Sequence, residues 1–252
     1  MMAGFSLKNK RAFVTGANTG IGQGIAIALA EAGADIIAVG RSSMAETKAE
    51  VERLGQSCAE IIVDLSDMHA AVTALEHDWD SSGPIDILVN NAGIIRRADA
   101  IDFTEEDWDA VIDLNLKTAF FLCQAFARKA FATDQEGRII NIASLLSFQG
   151  GIRIPSYTAS KSGLAGLTRL LACEWAAKGI NVNAIAPGYI ETNNTEALRN
   201  DEKRHTEILG RIPAGRWGQP GDIGGAAVFL ASDAATYVHG VVLPVDGGWL
   251  AR

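Results

Sequence analysis

A serine, a tyrosine and a lysine stand close together in the stretch 144–161, at spacings that suit one catalytic site. Tyr157 and Lys161 are four positions apart in a run, residues 157–175, whose apolar residues recur at helical intervals. Side chains at i and i+4 share a helix face, so the spacing predicts an ammonium beside a phenol. Such a charge favours the phenolate and draws the tyrosine down from its reference pKa of about 10. The implied chemistry is proton transfer near neutral pH, with Tyr157 as acid and base. Ser144 ends the apolar run Arg138-Ile-Ile-Asn-Ile-Ala-Ser, which predicts a strand buried on both faces. A hydroxyl at the carboxyl end of such a strand lies where open α/β sheets bind ligands. Taken alone, these residues also describe an ordinary amphipathic pair and a loop serine. The N-terminal part of the chain decides between the two readings.

There, Arg11-Ala-Phe-Val predicts a short strand, Thr15-Gly-Ala-Asn-Thr-Gly-Ile-Gly a glycine-rich turn, and residues 23–32 a helix. Strand, glycine turn and helix in that order form the phosphate-binding corner of a dinucleotide fold. Gly16 allows the tight turn, Gly20 the approach of a pyrophosphate, and Gly22 close packing of helix on strand. A second strand, Asp35-Ile-Ile-Ala-Val, ends at Gly40-Arg41-Ser42-Ser43. An acidic residue near this point bonds the ribose hydroxyls, whereas an Arg accommodates a 2′-phosphate. Gly40 occupies the acidic position and Arg41 follows it, which leans toward NADP(H).

Further strands and helices alternate to the end of the chain. Helix 44–54 leads to strand 59–63 and Asp64, which is read as a contact of the adenine amino group or as the start of a turn at Ser66 and Asp67. Helix 68–79 leads to strand 86–89 and Asn90-Asn91-Ala92-Gly93, small residues that let backbone lie close to a ligand. A long helix follows from a cap at Thr104 to about residue 131, with Asn115 in its middle. An Asn there is mildly unfavourable and suggests a buried amide with a task. Strand 138–143, helix 157–178 and strand 180–186 complete the centre, and Pro187-Gly188 breaks the sheet edge. The polar segment 189–218 is read as a lid, before a last helix at 220–231 and a final strand from 241. The whole predicts one α/β domain over 1–252, a Rossmann fold with a seven-stranded, mostly parallel, doubly wound sheet and helices on both faces.

Composition bounds the partners. The 252 residues carry a net charge of −8 with 21% charged and 48% apolar residues, which is ordinary globular composition without a nucleic-acid surface. Cys58, Cys123 and Cys173 are read as small buried hydrophobes, and the four histidines show no metal-ligand spacing. No run reaches the 18 or so apolar residues of a membrane span, so no membrane partner and a cytoplasmic location are expected.

Thr15-Gly-x3-Gly-x-Gly, Asn90-Asn-Ala-Gly, Asn115, Ser144, Tyr157-x3-Lys161 and Pro187-Gly188 together resemble the short-chain dehydrogenase/reductase family over nearly the whole chain. The resemblance implies that Tyr157 is the acid/base, that Ser144 bonds the substrate oxygen, and that Lys161 binds the nicotinamide ribose and lowers the tyrosine pKa. Asn115 would hold a water in a proton relay. For an NAD(H) or NADP(H) cofactor it implies contacts from Gly16, Asn18, Thr19, Gly20, Ile21 and Gly22 and from Arg41, Asp64 and Leu65. Asn91, Ala92 and Gly93 would join them, as would Tyr157 and Lys161, and Pro187, Gly188, Ile190 and Thr192 would line the nicotinamide. A homotetramer or homodimer is a family expectation.

Three less generic stretches, 141–151, 186–195 and 211–220, resemble the 2-dehydro-3-deoxy-D-gluconate (2-deoxy-D-gluconate 3-) dehydrogenase subfamily of pectin and uronate breakdown. That subfamily is generally described with NAD, against the lean of Arg41. A small-molecule sugar acid needs a cation for its carboxylate, and Arg serves better than Lys. Arg96, Arg97, Arg153 and Arg216 stand near the site in sequence, and Arg97, Gln149 and Arg153 are taken with Ser144 and Tyr157 as substrate contacts. The alternatives are a 3-oxoacyl carrier-protein reductase, a general polyol dehydrogenase, or a nicotinamide-binding regulator that has kept the fold.

Overall fold

The computed structural model describes residues 3–252. Its frame is seven parallel strands: β1 (Arg11–Thr15), β2 (Asp35–Gly40), β3 (Cys58–Ile62), β4 (Ile87–Asn90), β5 (Gly137–Ile142), β6 (Ile180–Pro187) and β7 (Val242–Val245). The sheet order is β3-β2-β1-β4-β5-β6-β7, and every pairing is parallel. The strand order therefore reverses between β1 and β4, which opens a crevice at the carboxyl ends of those strands.

The apolar runs are strands because alternate side chains feed two separate cores. Ala12 and Val14 of β1, with Ile36 and Ala38 of β2, face one cluster, while Phe13, Ile37 and Val39 face the other. The first face is covered by α1 (Gly20–Glu31) and α9 (Pro220–Ala231), through Ile25, Leu29, Ile223 and Leu230. The second is covered by α3 (Met68–Ser82) and α5 (Ala119–Ala132), where Trp79 meets Phe126 edge to face at 5.5 Å. α2 (Ala45–Arg53) and α6 (Pro155–Trp175) complete the layers.

Three elements depart from the sequence expectation. The long helix is not uniform: α4 (Glu105–Ile112) passes into a π-helical turn, Asp113–Thr118, before α5. Asn115 sits in that turn, and its amide bonds the backbone of Ile94 instead of fitting an α-helical interior. This continuous helix, Glu105–Ala132, is long and apolar enough to cross a membrane, but half of its apolar window is buried in the protein, with Leu122 and Phe126 in the core. The segment 189–218, read only as a polar lid with no elements assigned, carries regular structure. It holds α7 (Glu196–Asn200) and α8 (Glu202–Arg211), the latter capped by Asp201 accepting from Arg204 N. Cys173 is exposed, whereas Cys58 and Cys123 are buried as read.

Candidate active site

The glycine corner lies at the crevice, between the end of β1 and the start of α1. Gly20 has a φ of 59°, a left-handed conformation that a side chain disfavours, and a Cβ there would press on Thr192 at 3.2 Å. At Gly22 a Cβ would collide with the carbonyl oxygen of Gly16 and the amide of Asn91. Thr19 precedes the helix without capping it, so the first N–H groups of α1 stay open toward the crevice. The cradle fits a dinucleotide pyrophosphate. Asn91 seals it from the β4 side, donating from Nδ2 to Thr15 O at 2.9 Å, while Thr15 Oγ1 accepts from the N–H groups of Asn91 and Ala92. Gly16 and Ile21 complete the corner, and Asn18 turns its Nδ2 to Ser42 Oγ at the end of β2.

At that end Gly40 bears no side chain, and exposed Arg41 forms no ion pair among the described residues. Asp64 accepts from the N–H and the hydroxyl of Ser66, which hold its carboxyl below the usual range, and the more distant Arg41 charge acts in the same direction. Leu65 is buried, and its carbonyl accepts from Thr118 Oγ1 beside the π turn.

The catalytic candidates converge above the ends of β5 and β6. Ser144 lies two residues beyond β5, with Oγ accepting from Leu146 N at 3.2 Å. The turn after it is clamped to α6 by Ser147 Oγ donating to Lys161 O and Ser162 Oγ donating to Leu146 O. Lys161 is 4% exposed and donates from Nζ to Ile142 O at 2.6 Å. It lies 5.7 Å from the centroid of the Tyr157 ring. Asn115 donates from Nδ2 to Ile94 O and to Ser160 Oγ, and Ser160 Oγ donates to Tyr157 O. The loop after β4 is thus tied to the helix that carries Tyr157 and Lys161. Gly93 in that loop packs so closely that a Cβ there would stand 3.1 Å from Asn115 Oδ1.

The electrostatics differ from the sequence expectation. Desolvation pushes the Tyr157 phenol above its usual value, against the opposing pull of the Ser144 hydroxyl and the Arg97 charge. Lys161 is shifted too. Its own burial brings the ammonium down to about 8, because the charged form loses its water.

The arginines separate by their partners. Arg96 pairs with Asp107, Arg153 with Asp99 at 3.1 Å, and Arg216 forms a two-pronged pair with Asp222 at 2.6 and 2.8 Å. Arg153 also has a left-handed φ of 63° and accepts through its carbonyl from Ala98 N, so its loop is pinned to the loop after β4. Arg97 has no carboxylate partner among the described residues. Its exposed guanidinium donates to the carbonyl of Asn194 at 3.1 Å, and its charge acts on the Tyr157 phenol from a distance. Gln149 is engaged by Trp249 from the C-terminal turn.

Pro187 and Gly188 end β6, and Ile190 pairs with Gly218 as an isolated parallel bridge that joins the two stems of the segment 189–218. Thr192 caps the turn before α7, and its carbonyl accepts from Arg199 Nη2. Sequence reasoning missed Ser147, Ser160 and Trp249. Each has a partner 14 or more residues away, and a hydroxyl or indole carries no local signal of a distant contact.

Comparison with known proteins agrees with this geometry. Residues 16–250 match a short-chain dehydrogenase family model described as enoyl-(acyl carrier protein) reductase. A 2-dehydro-3-deoxy-D-gluconate 5-dehydrogenase of Escherichia coli (strain K12) is 56% identical over 252 residues, all of both chains. A 3-oxoacyl-[acyl-carrier-protein] reductase of Vibrio cholerae serotype O1 is 40% identical over 96% of this chain and 98% of its own. An Agrobacterium tumefaciens protein described as a 2-deoxy-D-gluconate 3-dehydrogenase, with bound NADP, superposes with a TM-score of 0.94 at 59% identity over 99% of this chain and 100% of its own. A Burkholderia cenocepacia gluconate 5-dehydrogenase in complex with NADP and tartrate gives 0.93 at 39% identity over 99% and 98%. The glycine corner, the Ser144, Tyr157 and Lys161 cluster and these matches along nearly its whole length place the chain in the short-chain dehydrogenase/reductase family.

Proposed function

We propose that the protein is an NAD(P)-dependent oxidoreductase that interconverts a secondary alcohol and a ketone on a deoxy sugar acid, of the 2-deoxy-D-gluconate, 2-keto-3-deoxygluconate or 5-keto-4-deoxyuronate type. The observation that carries the substrate class is Arg97, a cation without a carboxylate partner among the described residues whose charge reaches Tyr157. A planar guanidinium there suits the carboxylate of a sugar acid. Higher identity to a deoxygluconate dehydrogenase than to an acyl carrier-protein reductase supports the same reading.

The dinucleotide is held by the corner at Gly16, Gly20 and Gly22, by Asn91, and by the loop from Pro187 to Thr192. Bound nicotinamide supplies or accepts the hydride. In reduction, Ser144 donates a hydrogen bond to the substrate carbonyl oxygen and Tyr157 gives that oxygen its proton; in oxidation, Tyr157 takes the proton back. The raised phenol keeps Tyr157 protonated at neutral pH, the form that reduction requires. Lys161 places positive charge against the Tyr157 ring and the ribose side of the site. Asn115 and Ser160 position α6, and the segment 189–218 acts as a lid whose stem meets Arg97. Arg41, with no acidic residue at Gly40, favours NADP(H) over NAD(H).

Half-exposed Trp108 on α4 and Leu170 on α6 support assembly into a homodimer or homotetramer through these helices, which light scattering would measure. Free cysteines suit a reducing cytoplasm. Initial rates with NAD(H) and NADP(H) against 2-keto-3-deoxygluconate, 5-keto-4-deoxyuronate, gluconate and an acetoacetyl thioester test the reading. Turnover of a keto-deoxy acid is expected, with a loss of about 10²–10⁴-fold in Tyr157→Phe. Turnover of the thioester alone would refute the substrate class.

A further inference from the structure

Gln149 stands five residues beyond Ser144, and its side chain is joined to the C-terminal turn, where Trp249 Nε1 donates to Gln149 Oε1 at 3.3 Å. An indole N–H only donates, so this bond decides which end of the amide faces Trp249. Oε1 turns toward the indole. The NH₂ group of Gln149 makes no hydrogen bond to any other described residue, and it remains a pair of donors without a partner.

Trp249 is itself firmly placed. It is 4% exposed, it shares a cluster with Leu145, Ile208 and Trp217, and its ring lies 4.7 Å from that of Tyr189. The Arg211 guanidinium sits 4.0 Å over it. Leu145 follows the catalytic serine, Tyr189 follows β6, and Ile208 and Arg211 belong to α8. The indole is therefore the point where the turn after β5, the segment beyond β6 and the C-terminus meet.

We infer that Trp249 is a positioning residue for substrate specificity, orienting the Gln149 amide so that its NH₂ donates to an acceptor oxygen of the sugar acid held at Ser144 and Tyr157. This assignment rests on the sugar-acid reading above. A polyhydroxy acid offers carboxylate and hydroxyl oxygens away from the reacting carbon, whereas an acyl chain offers only apolar methylenes there.

Two substitutions test it. Trp249→Phe keeps a ring against Tyr189 and Arg211 but removes the donor, so the amide loses its fixed orientation. Gln149→Glu keeps an acceptor for Trp249 and replaces the NH₂ donors with a second acceptor oxygen. Each is expected to raise KM for the keto-deoxy acid about tenfold, the worth of one hydrogen bond to a charged group, while kcat, coenzyme KM and melting temperature stay near wild type. The double variant is expected to be no worse than Gln149→Glu alone, because both changes remove the same contact. A sugar-acid KM within twofold of wild type in Trp249→Phe, additive effects, or a fall in kcat together with melting temperature would overturn the assignment. If wild type turns over no sugar acid, the substrate reading fails first and the assignment with it, and turnover of the acetoacetyl thioester identifies that outcome.

Discussion

Replacing Lys161 by Met should make the protein more stable and nearly inactive. The lysine is 4% exposed, and burial brings its ammonium from 10.5 down to about 8. The difference of about 2.5 units, at about 1.36 kcal/mol each, amounts to roughly 3 kcal/mol by which folding disfavours the charge at pH 7. Methionine keeps the unbranched stem and removes the charge. It also removes the 2.6 Å bond to Ile142 O, a loss of about 1 kcal/mol. The net gain is about 2 kcal/mol, or roughly 4–8 °C in melting temperature for a chain of this size. The sign with pH follows from proton counting. Between about pH 8 and 10.5 the unfolded lysine is protonated and the folded one is not, so wild-type stability rises with pH across that window. The advantage of the variant should therefore shrink toward zero, or slightly reverse, by pH 10.5. Denaturant unfolding of both proteins at pH 7, 8.5 and 10.5 measures this, because other titrating groups cancel in the difference. Turnover should fall by at least about 10²-fold, since the charge beside Tyr157 is gone. A variant that is less stable at pH 7, or a difference independent of pH, would refute the reasoning.

The other expectations are more direct. Arg41→Glu should lower the ratio of kcat/KM for NADP(H) to that for NAD(H) at least tenfold, as expected for loss of a charged contact to phosphate, and an unchanged ratio would remove Arg41 from coenzyme selection. Gly22→Ala should weaken coenzyme binding in a fluorescence titration and cost about 1–3 kcal/mol in unfolding, because the new Cβ meets Gly16 O and Asn91. Wild-type stability and affinity in that variant would mean that the corner relaxes freely.

Most of the fold was legible in the chain. Apolar runs of four to eight residues separated by helical periodicity predict β1 to β7 and the alternation that makes the sheet parallel, and the glycine corner predicts where the crevice opens. Ser144, Tyr157 and Lys161 were legible because strand end and helix face place them by local geometry. The helices α7 and α8 were not, since their polar composition conceals a short amphipathic pattern with Ile208 as its buried anchor. The π turn was hidden as well. It depends on the Asn115 amide finding the backbone of Ile94, twenty-one residues away.

The types of side chain available for chemistry, and the elements that carry them, were set by the sequence alone. Which charges are free to act was decided only by the tertiary structure. Four arginines look equivalent in the chain, yet Asp107, Asp99 and Asp222 neutralise three of them and leave Arg97 without a carboxylate partner among the described residues. Lys161 and Tyr157 are four residues apart in either view, but their proton affinities follow from how much water the surrounding layers exclude. The physical reason is range. Backbone periodicity is settled among neighbours along the chain, whereas ion pairing, desolvation and the Trp249 contact to Gln149 join residues that only the packed sheet and its helices bring together.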